Sequence, residues 1–146
     1  MGTHLVSVDK EAVIKQVNEV LPHFPQVAAA YFFGSALGLC RPDSDIDLGL
    51  VLEEGIDPES AVGARLEGEV VMALRPIEGH PFSVVLLNPC QPIFTFRVIK
   101  SGELIYVRNF ERLTDVIEFV SRRYADLYPR YERALKEVLE EFRSAG

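Results

Sequence analysis

The chain has 146 residues, of which 48% are hydrophobic and 25% charged, and its formal net charge is −7. This composition is typical of a single soluble globular domain and excludes a disordered or fibrous chain. The acidic balance argues against a nucleic-acid partner, whose phosphates attract clustered Lys and Arg, but leaves open a small phosphate ligand that arrives with metal ions. There is no membrane-length apolar run and no secretory signal. Cys40 and Cys90 lie far apart and fit free thiols, so we expect a cytoplasmic protein.

The first half of the chain predicts one helix and two strands. Ser7 or Asp9 can cap a helix whose apolar residues follow helical spacing and which Pro25 closes. The uninterrupted apolar run at residues 27–33 predicts a strand buried on both faces. The remaining predicted segments of this half are a loop at residues 36–44 and a strand at residues 45–52.

The second half begins with a strong helix signal, Asp57-Pro58-Glu59. It combines a capping Asp, Pro at the first helical position and Glu in the first turn. Gly63 and Gly68 lie inside this helix, where each costs roughly 1 kcal/mol relative to Ala. The later predicted elements are a strand at 82–87, a helix at 92–100, a strand at 104–107 and a helix from Phe110 onward that Pro129 kinks or divides in two.

This order of elements predicts an α/β (α+β) fold, a small mixed sheet flanked by helices. We expect residues 1–109 to form the main body of one domain. Residues 110–146 are expected to form a C-terminal helical extension of the same domain.

The most informative pattern is Asp45-Ile46-Asp47. Residues i and i+2 of a strand point to the same face, so the two carboxylates project together while Ile46 points into the core. Adjacent carboxylates repel one another unless a cation lies between them, and hard oxygen ligands of this kind suit Mg²⁺. A solvated strand face is the alternative, and it would be favoured for Asp-x-Asp alone.

Gly34-Ser35 favours the metal-binding interpretation over the solvated strand face, because this pair directly follows the first buried strand. Glycine allows a sharp turn and a close approach to a ligand. Ser35 adds a hydroxyl and a backbone N–H, and successive N–H groups in such turns form anion-binding concavities. The pair and the two aspartates together predict a phosphate cradle that faces a metal dyad.

These residues resemble the polymerase-beta-type nucleotidyltransferases, and most closely the minimal nucleotidyltransferases. Phe33-Gly34-Ser35 and the segment Arg41 to Leu48 carry most of the likeness, and the segment from Gly102 to Tyr106 adds to it. The resemblance implies that Gly34, Ser35 and Ser44 bind a nucleoside triphosphate, ATP or another NTP. It also implies that Asp45 and Asp47 are catalytic and hold Mg²⁺, one ion or two. The family transfers a nucleoside monophosphate to an acceptor hydroxyl by in-line displacement at phosphorus.

Two positions depart from the pattern of that family. The third acid that the family places on the next strand corresponds to Ser83, which supplies no anionic ligand at neutral pH. The loop after Gly34-Ser35 is one residue short and lacks the usual basic residue. Glu69, Glu78 and His80 are candidates to replace the acid, but the sequence favours a solvent-facing role for each. Transfer is therefore expected to be weak or lost.

Other reactive or aromatic residues are interpreted as structural. The three histidines are isolated and lack the spacing of a zinc site, Cys40 has no catalytic partners, and three phenylalanines fit packing better than base stacking. These residues are His4, His23, His80, Cys40, Phe82, Phe94 and Phe96.

The C-terminal stripe has two open interpretations. As far as Tyr124 it fits a helix packed on its own sheet, whereas the apolar positions beyond Pro129 fit either local packing or a partner helix. The family resemblance implies an antitoxin that pairs with a HEPN-domain toxin, a helical ribonuclease whose tyrosine can receive the nucleotide. The alternative is a catalytically degenerate protein that neutralises a helical partner by contact alone. A homo-oligomer also remains possible.

Overall fold

Two apolar strands form the centre of the sheet because both of their faces are covered by helices. In the computed structural model, which describes residues 4–145 and side chains as far as Arg143, strand β2 (Val27–Phe33) pairs antiparallel with β4 (Ile46–Leu52). The edge strands are β5 (Phe82–Leu86), parallel to β4, and β6 (Glu103–Val107), antiparallel to β2. The order β5-β4-β2-β6 confirms the predicted small mixed sheet.

Four helices cover the two faces of this sheet. Helices α1 (Lys10–Val20) and α2 (Ala61–Ala73) pack on one face. Helices α3 (Pro92–Ser101) and α4 (Phe110–Ala145) pack on the other face. The central strands β2 and β4 therefore send side chains into two separate apolar clusters, which explains why β2 is an unbroken apolar run.

Local signals explain most of the element boundaries. Asp9 caps α1 through its side chain, which accepts a hydrogen bond from the Ala12 N–H at 3.2 Å. Asn109 caps α4 in the same way, accepting from the Arg112 N–H at 3.0 Å. Its amide also donates to the Glu53 carboxylate at 2.7 Å, which fixes the start of α4 to the end of β4.

Two predictions about these elements were wrong. Asp57 does not begin α2 but forms a turn in which it accepts from the Glu59 N–H, and Ser60 caps the helix at Gly63. The predicted loop 36–44 contains a short strand, β3 (Leu39–Cys40), which pairs with β1 (Val6–Ser7).

Helix α4 is one continuous helix through Pro129, so of the two alternatives predicted there, a kink or a division into two helices, the division is excluded. A proline inside a helix removes one N–H···O=C bond, and here the carbonyl that loses its partner belongs to exposed Ala125, where water can replace the bond.

The two halves of α4 have different surroundings. Leu113, Val116 and Val120 are buried against the sheet, as predicted for the part up to Tyr124. From Tyr131 onward the apolar side chains are exposed. Among the described residues no helix is both long and apolar enough to span a membrane.

Candidate functional site

Gly34 ends β2 with a backbone conformation that other residues rarely adopt, φ +85°. A Cβ atom built at this position would collide with Oδ2 of Asp47. The turn can therefore lie directly against the carboxylate of the neighbouring strand only because residue 34 has no side chain.

Ser35 begins a single 3-10 turn, Ser35–Leu37, immediately after this glycine. The Leu37 N–H donates to Gly34 O and the Gly38 N–H to Ser35 O, each at 3.2 Å. The first N–H groups of such a turn have no partner within it. Ser35 is exposed, so its hydroxyl and N–H are accessible to an anion beside Asp47.

Asp45 and Asp47 lie close together at the start of β4. Ile46 and Leu48 are fully buried on the α1/α2 face, so Asp47 points to the α3/α4 face of the sheet. Burial raises the pKa of Asp47, and the neighbouring charge of Asp45 raises it further. No Lys or Arg forms an ion pair with either aspartate among the side chains described. A divalent cation would supply the missing positive charge.

Ser83 lies beside Asp47 in the sheet. The parallel pairing of β4 and β5 makes these two residues register partners. On the other side of β4, the antiparallel pairing with β2 makes Phe33 the register partner of Asp47. Ser83 is therefore at the position where a third carboxylate would meet the dyad. Within residues 4–143 no three His, Cys, Asp or Glu side chains are grouped as a metal site. Glu69 and Glu78 are exposed, as predicted, and neither replaces the missing acid.

His80 was predicted to face solvent, and this was wrong. The side chain is 3% exposed, and its Nδ1 lies 2.8 Å from Ser44 O. A carbonyl oxygen only accepts hydrogen bonds, so Nδ1 must carry the proton. The Ile46 N–H donates to Pro81 O at 2.8 Å. The backbone on both sides of Asp45 is thus held by the 80–81 segment. The sequence signal was the position of His80 just before β5, the strand that adjoins the dyad.

The segment that leads into the dyad is otherwise exposed. The Ser44 N–H donates to Arg41 O at 3.0 Å, which closes a turn. Arg41 and Asp43 form an exposed ion pair at 3.6 Å, and such pairs add little stability. Cys40 is buried and free, and Cys90 is exposed and free, as predicted.

Two aromatic rings border the site. Phe33 meets Phe94 edge to face, with ring centroids 6.2 Å apart. Phe94 is 43% exposed, whereas Phe82 is buried and Phe96 stacks on Tyr124. The packing role predicted for these three phenylalanines holds for Phe82 and Phe96, while Phe94 leaves part of an aromatic surface open beside Phe33.

A separate cavity of about 570 Å³ lies at the other end of the sheet, between the end of β4 and the start of α4. Its charged lining consists of Glu54, Asp57, Asp115 and Arg112. Three carboxylates outnumber one guanidinium, so this cavity would repel a triphosphate. The loop and the dyad are therefore the better phosphate site.

The family model for polymerase beta nucleotidyltransferases matches residues 15–111, about two thirds of the chain, and this span includes the Gly34 turn, both aspartates and Ser83. The chain belongs to this family. The family resemblance inferred from the sequence is therefore confirmed. A comparison with curated proteins gives no match.

Several solved structures of similar fold come from toxin–antitoxin complexes. A chain from the tri-AMPylated Shewanella oneidensis HEPN toxin in complex with MNT antitoxin is 16% identical, with a TM-score of 0.63, covering 90% of this chain and 99% of that one. A chain of the toxin–antitoxin with AMP-PNP is 18% identical, with a TM-score of 0.58 and the same coverage. A chain of the toxin–antitoxin MntA–HepT is 17% identical, with a TM-score of 0.55, covering 89% and 96%. At these identities the similarity shows the fold.

Proposed function

We propose that this chain is a minimal nucleotidyltransferase that binds Mg²⁺ and a nucleoside triphosphate, with ATP as the favoured nucleotide. Its acceptor is a hydroxyl group on a helical HEPN-type toxin, for which the chain acts as the antitoxin. The observation that carries the proposal is the contact geometry of Gly34 and Asp47, because it puts an anion-binding turn directly against an unpaired carboxylate. The structures of similar fold favour this partner and this nucleotide, since their names include a HEPN toxin and AMP-PNP.

The residues present fit a divalent cation on chemical grounds. Asp47 is partly buried, has a raised pKa and interacts with a second carboxylate, so this pair is stabilised by a bound cation. Mg²⁺ bound there would offset the charge of the triphosphate and of the leaving oxygen. Asp45 and Asp47 would hold it, and the Ser35 hydroxyl and N–H would hold phosphate oxygens.

The reaction that this arrangement supports is an in-line displacement. The acceptor oxygen bonds to the α-phosphorus while the bond from that phosphorus to the oxygen bridging to the β-phosphate breaks. Pyrophosphate leaves, and the hydroxyl proton passes to solvent because Ser83 offers no carboxylate base. Gly34 orients the turn, and His80 fixes the backbone before Asp45, so these two residues position the others.

The second candidate function is neutralisation of the toxin by contact without transfer. One specific observation favours it, namely that Ser83 is the direct strand neighbour of Asp47. Without an anionic ligand at that position, a second cation that activates the acceptor hydroxyl would be held weakly. Nucleotide binding and partner binding would persist under this alternative, and only turnover would be lost.

A transfer assay separates the two candidates. The full chain is incubated with Mg²⁺, ATP labelled at the α-phosphate and the HEPN-type toxin proposed as its partner, and label on that toxin is counted. We expect slow, Asp47-dependent labelling that disappears in Asp47→Asn. Toxin inhibition with no label at all would favour neutralisation by contact, and labelling that survives Asp47→Asn would exclude the dyad as the catalytic site.

A further inference from the structure

The exposed half of α4 carries an apolar seam at coiled-coil spacing. Successive seam residues are four, three, four, three and four positions apart, which is the a/d pattern of a heptad repeat. They are Tyr124, Tyr128, Tyr131, Leu135, Val138 and Phe142. These six residues are called the α4 seam below. The seam extends over 19 residues, or roughly 28 Å of helix.

The first part of the α4 seam is held by α3. Tyr124 stacks on Phe96 with centroids 4.0 Å apart, and Tyr128 follows Tyr124 at 5.0 Å. Arg97 lies 5.8 Å from the ring of Tyr131. Exposure then rises along the seam, from 40% at Tyr131 to 80% at Phe142. The seam thus begins on a packed base and continues with no cover from the other described residues.

The uncovered area is large enough for a specific interface. The exposed apolar residues of this half are Tyr131, Leu135, Val138, Leu139 and Phe142. Together they leave roughly 500 Å² of apolar surface open, at about 150–200 Å² for each fully exposed side chain. A standard interface buries about 800 Å² per partner, a little more than half of it apolar. Together with Leu139 beside it, the α4 seam therefore matches the apolar requirement of one such interface.

Charge decides between a second copy and another protein. The spacing of the seam is symmetric about residue 133, so two copies could pair along it in antiparallel orientation. Such a pair would join two chains that each carry a net charge of −7. The e and g positions of a heptad flank its a/d seam, and the charged residues at those positions beside the α4 seam are Glu132 and Glu141, both acidic. A basic partner complements this surface, and a second copy does not.

Aromatic contacts and α3 connect the seam with the phosphate site. Phe33 precedes Gly34 and contacts Phe94, which lies on the same helix as Phe96 and Arg97. Both the dyad and α4 are on the α3/α4 face of the sheet. A protein bound along the seam is therefore held on the face of the molecule that carries Asp47.

We infer that the α4 seam is the docking surface for an amphipathic helix of a net-basic partner, which it holds on the side of the nucleotide site. Under the proposed function, on which this inference rests, that partner is the HEPN-type toxin. The dyad supplies the chemistry and the seam supplies the affinity and placement of the acceptor. An isolated helical end of this length is only marginally stable in water, and the bound partner would stabilise it.

The test uses the full chain and a pair of double variants. Leu135→Asn with Val138→Asn disrupts the seam at exposed positions, so the fold stays intact. Arg133→Asn with Glu140→Asn is the matched control, because it alters the opposite side of the same helix and leaves the net charge unchanged. Binding to the HEPN-type toxin proposed as the partner is measured by calorimetry. Loss of two apolar anchors is expected to weaken binding at least about 30-fold, and the control is expected to stay within about threefold.

Two further measurements separate the possible failures. The chain alone should sediment as a monomer, and a dimer that the seam variant abolishes would assign the seam to a second copy instead. Both double variants should bind Mg²⁺ and a non-hydrolysable ATP analogue like the wild type. Wild-type binding to the toxin that the seam variant leaves unchanged overturns the docking inference but leaves the proposed function standing. A wild type that does not bind the toxin overturns the proposed partner, and the seam assignment with it.

Discussion

Replacing Ser83 with aspartate should restore transfer activity. Ser83 is the strand neighbour of Asp47, and adjacent strands lie about 4.8 Å apart. Oxygen ligands of one Mg²⁺ lie 2.0–2.1 Å from the ion, so two carboxylates on neighbouring strands can share it. The serine is partly exposed on the same face as Asp47, which leaves room for the longer side chain.

The size of the effect follows from what the new carboxylate would do. A positioned acid or base contributes roughly 10²–10⁴-fold to a proton-transfer step, so Ser83→Asp should accelerate transfer by about 100-fold or more at saturating Mg²⁺. Without metal, a third negative charge beside the partly buried Asp47 should lower the melting temperature below that of the wild type. Added Mg²⁺ should reverse this loss, because it binds only the folded state.

The assay compares labelling of the toxin by the wild type, Ser83→Asp and Ser83→Asn under identical conditions. Asparagine has the size of aspartate but no charge, so it should give no acceleration. If Ser83→Asp is no faster than Ser83→Asn, the missing acid does not limit turnover. Brisk transfer by the wild type would refute the reasoning in the same way.

Three further perturbations test how the site is positioned. Gly34→Ala should lower the unfolding free energy by about 1–3 kcal/mol and abolish nucleotide binding, because residue 34 has a positive φ and a Cβ there would clash with Asp47. Gly38→Ala is the control: it has open space around it and should change neither the melting temperature nor the calorimetric affinity for nucleotide. His80→Leu leaves Ser44 O without its donor and should cost about 1–3 kcal/mol in denaturant unfolding, and an unchanged free energy of unfolding would contradict this. The raised pKa of Asp47 means that its ionised form opposes folding, so metal-free wild type should lose stability relative to Asp47→Asn as pH rises through that pKa. A difference in melting temperature between the two proteins that is the same at every pH would contradict this.

The sequence predicts the main elements of this fold because its apolar periodicity is strong. The runs of β2 and β4 and the spacing in α1 and α4 are long and regular, so the mixed sheet with flanking helices follows from them. The strands β1 and β3 could not be predicted in this way. Each has two residues, and their pairing depends on a tertiary contact that brings Val6 opposite Cys40.

The start of α2 shows how two local signals compete. Asp57 and Ser60 are both of residue types that commonly cap helices, and by propensity the Asp-Pro pair is the stronger signal. The chain instead uses Asp57 for a turn that Ser60 also joins, and Gly63 packs closely against the backbone of Pro58. Only glycine allows that approach, so the residue that weakened the predicted helix is required by the actual one.

The sequence predicts the residues of the candidate site better than it predicts the contacts that hold them in position. Alternation along β4 is sufficient to orient Asp47, and a family pattern is sufficient to point to Ser83. The role of His80 depends on a contact across 36 positions of sequence, which no local pattern encodes. The collision between a Cβ at Gly34 and Asp47 likewise depends on the register of β2 and β4.

The most direct test of the central claim is calorimetric titration of the purified chain with Mg²⁺ and a non-hydrolysable ATP analogue. Asp47→Asn removes the partly buried charge of the dyad, and Asp43→Asn is the matched control on the same segment, with an exposed side chain that pairs only with Arg41. We predict saturable, Mg²⁺-dependent binding by the wild type and by Asp43→Asn, and binding at least tenfold weaker by Asp47→Asn. Equal affinity in all three proteins, or no binding by the wild type, would contradict a metal–nucleotide site on Gly34, Ser35 and the two aspartates.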